Sequence, residues 1–198
     1  SVACLRQDFP EWRILPEEGT ACSAVICGAA EILIASIEPP EQAQGYAIRV
    51  TPAGVRIDGR DEAGLWYGLQ TLRVLLDSGM TTLPAGEMRD WPSLSRRGIH
   101  LDLKGYQPKF DRLLEIITLL SHFKINTVLL EVEDKYAFRA APDIAVPEAY
   151  SYEQFRELSR VCRARQIQVI PKLQCLGHAD YLLRHEAYRD LREDGHPY

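Results

Sequence analysis

Hydrophobic positions along this chain follow two rhythms. Through residues 1–88 the apolar runs are short, and from Ile99 onward strand-length runs alternate with helical periodicity. In the first part, residues 32–37 form an apolar run closed by Pro39 and Pro40, which predicts a strand. Tyr46, Ile48 and Val50 then alternate with small or polar residues. The turn residues Thr51–Pro52–Ala53–Gly54 follow, and Val55 and Ile57 resume the alternation, which predicts a β-hairpin. Leu65, Leu69, Leu72 and Leu76 line one helical face, with Asp61 placed to cap its start and Gly79 to stop it. Strands, a hairpin and a helix on one side make a small α+β domain. Residues 80–95, with Pro84, Gly86 and Pro92, read as a linker.

Beyond the linker, residues 99–103 read as a strand. Leu113, Ile116, Ile117, Leu120 and Phe123 recur at helical spacing, and residues 127–132 form a second strand rich in branched side chains. After a longer loop over 133–150, Ser151 and Gln154 carry a capping-box signature, and Phe155, Leu158 and Cys162 give the next helix a buried face. Residues 167–173 are a third strand, and 181–191 look helical. Strand–helix–strand with a short return is the parallel crossover unit. The expected fold class is therefore α/β: an α+β domain over 1–88, then three βα units over 89–198. A barrel needs eight such units in about 250 residues. Either the sheet is small and open, or this is the front part of something longer.

Composition narrows the function. Of 198 residues, 46% are hydrophobic, enough for a real core, and the net charge of −5 with scattered Lys and Arg argues against a nucleic-acid partner. No apolar run reaches the roughly 20 residues of a membrane span. The start SVACLRQDFPEW lacks the layout of a signal peptide, so the expected location is cytoplasmic, unless a leader was removed ahead of it. The five cysteines (Cys4, Cys22, Cys27, Cys162 and Cys175) are odd in number and show no CxxC spacing. Free, mostly buried thiols are expected, with no zinc and no other cofactor.

Chemistry in parallel sheets sits at the C-terminal ends of the strands. Asp102 and Lys104 follow the first strand, and Glu133 and Asp134 the second. Glu131 and Glu133 share a side by alternation and are candidates for acid–base work, a cation or a sugar hydroxyl. Lys104, Lys135 or Lys172 are the alternative, as simple neutralising partners. Asp134 and His178 project from the same sheet end, so they are a candidate Asp–His pair, or else a loop acid and a surface histidine. Trp66 and Tyr67 read as core. The remaining histidines (His100, His122, His185 and His196) make no metal motif.

From about Tyr46 onward the chain resembles the family-20 glycoside hydrolases, the β-N-acetylhexosaminidases. The likeness is carried by Gly64–Leu72 (GLWYGLQTL), Asp90–Trp91–Pro92, Arg97–Gly98 with Asp102, Lys124–Ile125–Asn126, Asp134, Val169–Ile170–Pro171 and Gly177–His178–Ala179. Gly105 stands where the family places a sugar-gripping arginine, and Lys135, Lys172 and Gln174 replace acidic residues, a pattern similar to the hexosaminidase D branch. The resemblance implies a TIM barrel, a glycan or small-molecule substrate, and a retaining mechanism in which the substrate's own acetamide is the nucleophile. It assigns the catalytic Asp-Glu pair to a fourth strand beyond Tyr198. Asp134 and His178 become a support dyad, with Asp102, Lys104, Glu131, Glu133 and Gln174 as candidate substrate-binding residues. Two rivals stay open: a non-catalytic carbohydrate-binding protein of this fold, and a metal-assisted barrel enzyme using Glu131 and Glu133.

Overall fold

A computed structural model describes residues 14–16, 23–27, 34–78 and 83–193. The chain divides into two units. One holds the chain up to Arg97 with His122–Lys124 and Ala164–Gln166; the other holds Gly98–Ser121, Ile125–Arg163 and the chain from Ile167 on.

The first unit is built on an antiparallel sheet in the order β1-β2-β4-β3-β5, from β1 (Ile14–Pro16), β2 (Ser23–Cys27), β3 (Tyr46–Thr51), β4 (Gly54–Gly59) and β5 (Gly86–Asp90). The expected hairpin is β3–β4, in register Ile48↔Ile57 and Val50↔Val55, with the Thr51 hydroxyl accepting the Ala53 N–H in its turn. Helix α1 (Glu62–Asp77) starts as expected at Asp61, whose Oδ1 accepts the Gly64 N–H at 2.7 Å. Gly79 lies outside the described residues; Ser78 ends the helix. Trp66, Tyr67, Leu69 and Leu72 bury against Tyr46, Ile48 and Ile57. The two glycines of the GLWYGLQTL stretch set how close α1 comes. A Cβ on Gly64 would lie 2.1 Å from the Gly45 carbonyl oxygen, and one on Gly68 would lie 2.5 Å from Ile57 Cγ2.

Three expectations change here. Residues 34–37 form no strand, and 32–33 lie outside the described residues. Ile34 and Ile37 do bury, but their backbone is satisfied by side chains: Arg56 donates to the Ile34 carbonyl, and Asp58 accepts the Ile37 N–H at 2.9 Å. Arg56 and Asp58 are themselves a buried two-pronged ion pair on the face of β4 opposite the helix. Secondly, residues 80–95 are not all linker, because Gly86–Asp90 is a strand paired with β3. Every one of its residues is exposed, so no apolar alternation marks it. Its place is fixed by the ladder and by Arg49, which donates twice to its directly opposite neighbour Glu87. Thirdly, the boundary at 88/89 falls inside that strand, and the first unit runs on to Arg97.

The second unit has a parallel sheet in the order β6-β7-β8: β6 (Gly98–Asp102), β7 (Thr127–Glu131) and β8 (Gln168–Lys172). Helices α2 (Phe110–His122) and α3 (Tyr152–Ala164) make the crossovers. The capping box forms as expected, with Ser151 N–H donating to Gln154 Oε1 and Gln154 N–H to Ser151 Oγ. Each crossover then turns into its strand in the same way. Lys124 (φ 58°) and Gln166 (φ 59°) take left-handed conformations, and the next N–H reaches back five residues, from Ile125 to Leu120 and from Ile167 to Cys162. That is a Schellman closure made without glycine.

Register decides what each face carries. Leu101, Val128, Leu130 and Val169 pack with Leu113, Ile117, Leu158 and Cys162 of the helices. His100, Asp102, Glu131 and Lys172 alternate onto the other face, with Asp102, Glu131 and Lys172 level across the three strands. Phe123 departs from its expected buried position and is exposed, because α2 ends at His122. Residues 181–191 are not one helix: α4 (Asp180–Leu183) is a single turn, followed by a 3-10 segment broken at Tyr188. Of the thiols, Cys162 is buried and Cys175 exposed, while Cys4 and Cys22 lie outside the described residues.

Gly64→Ala should destabilise the protein. Helix propensity favours alanine by about 1 kcal/mol, but overpacking against a backbone carbonyl costs about 1–3 kcal/mol, and the atom 2.1 Å away is backbone, so relief requires the chain itself to shift. Urea unfolding should show a lower midpoint at unchanged slope. At the half-buried left-handed position, Gln166→Gly should act in reverse, raising stability by about 0.5–1 kcal/mol.

Candidate functional site

Glu131 ends β7 with its side chain fully buried (0% exposed), and the strand-end groups are arranged around it. Its Oε1 accepts from Lys104 Nζ at 2.6 Å and Gln174 Nε2 at 2.7 Å. Its Oε2 accepts from Lys172 Nζ at 2.7 Å and His100 Nε2 at 2.8 Å. Burial pushes the carboxyl group up, but the four donors outweigh it and hold the pKa at about 2. Lys104 is raised in turn, first by its bond to Glu131. Asp102 Oδ1 accepts the Lys104 backbone N–H at 2.9 Å and its Oδ2 lies 3.1 Å from the same ammonium; the backbone bond, first among its causes, lowers its pKa.

Next along the chain, Glu133 and Asp134 lie in a short 3-10 turn, Glu133–Lys135, and both are buried. Backbone bonds pin this turn: Val146 N–H to the Asp134 carbonyl, Tyr150 N–H to the Lys135 carbonyl, and Ala137 N–H back to Tyr150. The Tyr136, Phe138, Tyr150 and Phe155 rings pack edge-on and tilted, and the Tyr150 hydroxyl donates to the Pro108 carbonyl. The long loop after the second strand is thus a built support. Glu133 adopts a left-handed backbone (φ 41°), its Oε1 has no hydrogen-bond partner among the described residues, and Lys104 Nζ lies 4.0 Å away. Burial, with help from neighbouring carboxylates, raises its pKa against the pull of Lys104.

Asp102, Lys104, Glu131, Glu133 and Gln174 are brought together as the candidate set. The Asp134–His178 pair is not formed. Asp134 Oδ1 accepts from Lys135 Nζ and Oδ2 from Arg184, each at 2.7 Å, and these cations hold its pKa low despite burial. His178 is exposed, in a left-handed conformation (φ 52°). Two cationic groups at hydrogen-bond distance already occupy both oxygens of the buried carboxylate. Lys135 accordingly partners Asp134, while Lys104 and Lys172 neutralise Glu131. With two ammonium groups already on Glu131, a divalent cation there would meet repulsion as well as attraction, which argues against the metal reading.

Sequence reasoning gave His100 no role in this site and missed Arg184. His100 carried a signal, since it is two residues before Asp102 and so on the same face. Arg184, fifty residues from Asp134, carried none. Gly105, where the resemblance expects an arginine, has open space: a Cβ there meets nothing within 4 Å.

An antiparallel unit thus precedes parallel βα units that carry a carboxylate–ammonium cluster at their strand ends. The family model "Glycosyl hydrolase family 20, domain 2" matches residues 15–91. A β-N-acetylhexosaminidase of Cellulomonas fimi is 30% identical over 198 aligned residues, covering 91% of this chain and 38% of the relative. Human hexosaminidase D is 35% identical over 100 residues, covering 50% of this chain and 21% of the relative. Among solved structures, a mutant Streptomyces plicatus β-hexosaminidase in complex with its product GlcNAc superposes with a TM-score of 0.70 at 26% identity, covering 81% of this chain and 37% of that one. The chain is similar to glycosyl hydrolase family 20 proteins over most of its length. It spans less than two fifths of the length of these relatives.

Glu131→Gln should cost about 2–3 kcal/mol of stability at neutral pH, because it removes a charged acceptor from four donors. A carboxyl group held at about 2 when folded, below its ordinary value when unfolded, stabilises the protein above that ordinary value, and the gain is lost as pH falls through about 2. The gap between wild type and variant in urea unfolding should therefore narrow between about pH 5 and pH 2.

Proposed function

We propose that the full-length protein releases terminal β-linked N-acetylhexosamine from glycans or small glycosides. In this reading β6, β7 and β8 are the first three strands of a (β/α)8 barrel, whose other strands correspond to the parts of the relatives that this chain does not cover. One observation carries the reading: in a chain similar to family-20 proteins, the polar groups gather at the C-terminal ends of parallel strands, where barrels of this class place their chemistry.

The mechanism is retaining and substrate-assisted. The 2-acetamido oxygen of the substrate attacks the anomeric carbon while a carboxylic acid protonates the leaving oxygen, and water then opens the bicyclic intermediate from the opposite side. The Asp-Glu pair for these steps is assigned to the following strand. Residues of this chain bind and orient the sugar: Asp102, Lys104, Glu133 and Gln174 at the strand ends, with Glu131 holding Lys104 and Gln174. Asp134 and His178 stand at the same end. Since Asp134 is ion-paired to Lys135 and Arg184, His178 acts in this reading without a carboxylate behind it.

Full-length protein should hydrolyse an aryl N-acetyl-β-glucosaminide and release the β-anomer first, as followed by proton NMR. The N-trifluoroacetyl analogue, whose carbonyl oxygen is a poorer nucleophile, should react more slowly. Equal rates, or an α-anomer formed first, would overturn the mechanism. An absence of turnover would overturn the hydrolase reading in favour of a carbohydrate-binding protein.

A further inference from the structure

The strand-end carboxylates are not equally free to meet a ligand. An ionised carboxylate has about four lone-pair directions, and on Glu131 all are taken, by Lys104, Gln174, Lys172 and His100. Asp134 has a cation on each oxygen. Asp102 is tied to the backbone and ammonium of Lys104. Glu133 differs: its side chain is only 9% exposed, yet its Oε1 has no hydrogen-bond partner among the described residues, and its backbone holds a conformation that costs a non-glycine residue energy. A buried acceptor left open is unfavourable in the free protein. Strain and an unmet polar group at one residue, 4.0 Å from the ammonium that organises the cluster, mark a place where stability is given up for binding.

We propose that Glu133 is the residue of this cluster that grips the ligand, its Oε1 accepting a hydroxyl or amide N–H of an uncharged sugar, and that Glu131 is a positioning residue which touches no ligand. The proposal rests on the sugar-binding reading above and names how recognition is achieved where Gly105 leaves no arginine. It also sets the ligand class. Three carboxylates (Asp102, Glu131 and Glu133) face two ammonium groups (Lys104 and Lys172), and both ammoniums are bound to Glu131. A neutral polyol with donors to offer fits this balance, and an anionic substituent at Oε1 is repelled.

The test compares Glu133→Gln and Glu133→Ala with Glu131→Gln in the full-length protein. It uses titration calorimetry with N-acetylglucosamine, steady-state kinetics on its aryl β-glycoside, and urea unfolding. Both Glu133 variants should weaken N-acetylglucosamine binding and raise KM about tenfold or more, with an unfolding midpoint equal to or above wild type. Glu131→Gln should instead lower the midpoint. Unchanged affinity and KM in the Glu133 variants would overturn the assignment while leaving the hydrolase reading intact. A lowered midpoint in Glu133→Gln would make Glu133 structural and overturn it as well. Wild-type protein that binds the sugar without hydrolysing the glycoside would sink the hydrolase reading alone, and the calorimetry would still decide Glu133. Wild-type protein that does neither overturns both.

Discussion

A charge buried at the end of a parallel strand must be answered, and Glu131 is answered four times over. Because an ionised carboxylate taken out of water is costly unless paired and hydrogen-bonded, the groups that meet it cannot be independent of it. Lys104 follows β6, Lys172 ends β8, Gln174 lies two residues further, and His100 reaches across from within β6. One side chain on the middle strand thus draws together the ends of all three. The neighbouring turn over Glu133–Lys135 is placed by the same strand end and held from behind by the Tyr136–Phe155 ring cluster. The polar site follows from this single constraint together with the level register of Asp102, Glu131 and Lys172.

The first unit solves a similar problem by other means. Its helix packs so closely that a Cβ on Gly59, Gly64 or Gly68 would clash, against Leu65, Gly45 and Ile57 respectively. On the opposite face of β4, Arg56 and Asp58 are buried together, and they also bond the backbone of Ile34 and Ile37. That segment buries Ile34 and Ile37 without joining a ladder. In both units, then, a buried ionic group on a strand does structural duty by satisfying groups that regular secondary structure leaves over.

What distinguishes Glu133 from Glu131 is completeness. Both are buried acids two residues apart, and simple alternation treats them alike. Glu131 is saturated and held low in pKa, whereas Glu133 is under-satisfied, raised in pKa and left-handed in backbone. Saturated groups stabilise; unsatisfied ones wait for a partner.

Local pattern was enough for the elements whose stability is local. The hairpin announced itself by alternation across Thr51–Gly54, α1 by Asp61 and its leucine face, α3 by the Ser151/Gln154 box, and the parallel units by apolar runs separated by helical periodicity. It failed where an element draws its stability from elsewhere. Strand β5 has no buried face and exists because β3 offers it a ladder, and residues 34–37 look like a strand but spend their backbone bonds on Arg56 and Asp58. The site divided in the same way. Strand-end position picked out Asp102, Lys104 and Glu133, because the direction of a parallel strand is written in its order along the chain; alternation added Glu131, and the family resemblance Gln174. Which acid takes which cation is a matter of distance between segments. Only tertiary structure gave Asp134 to Lys135 and Arg184, separated it from His178, closed every lone pair of Glu131 and left Glu133 open.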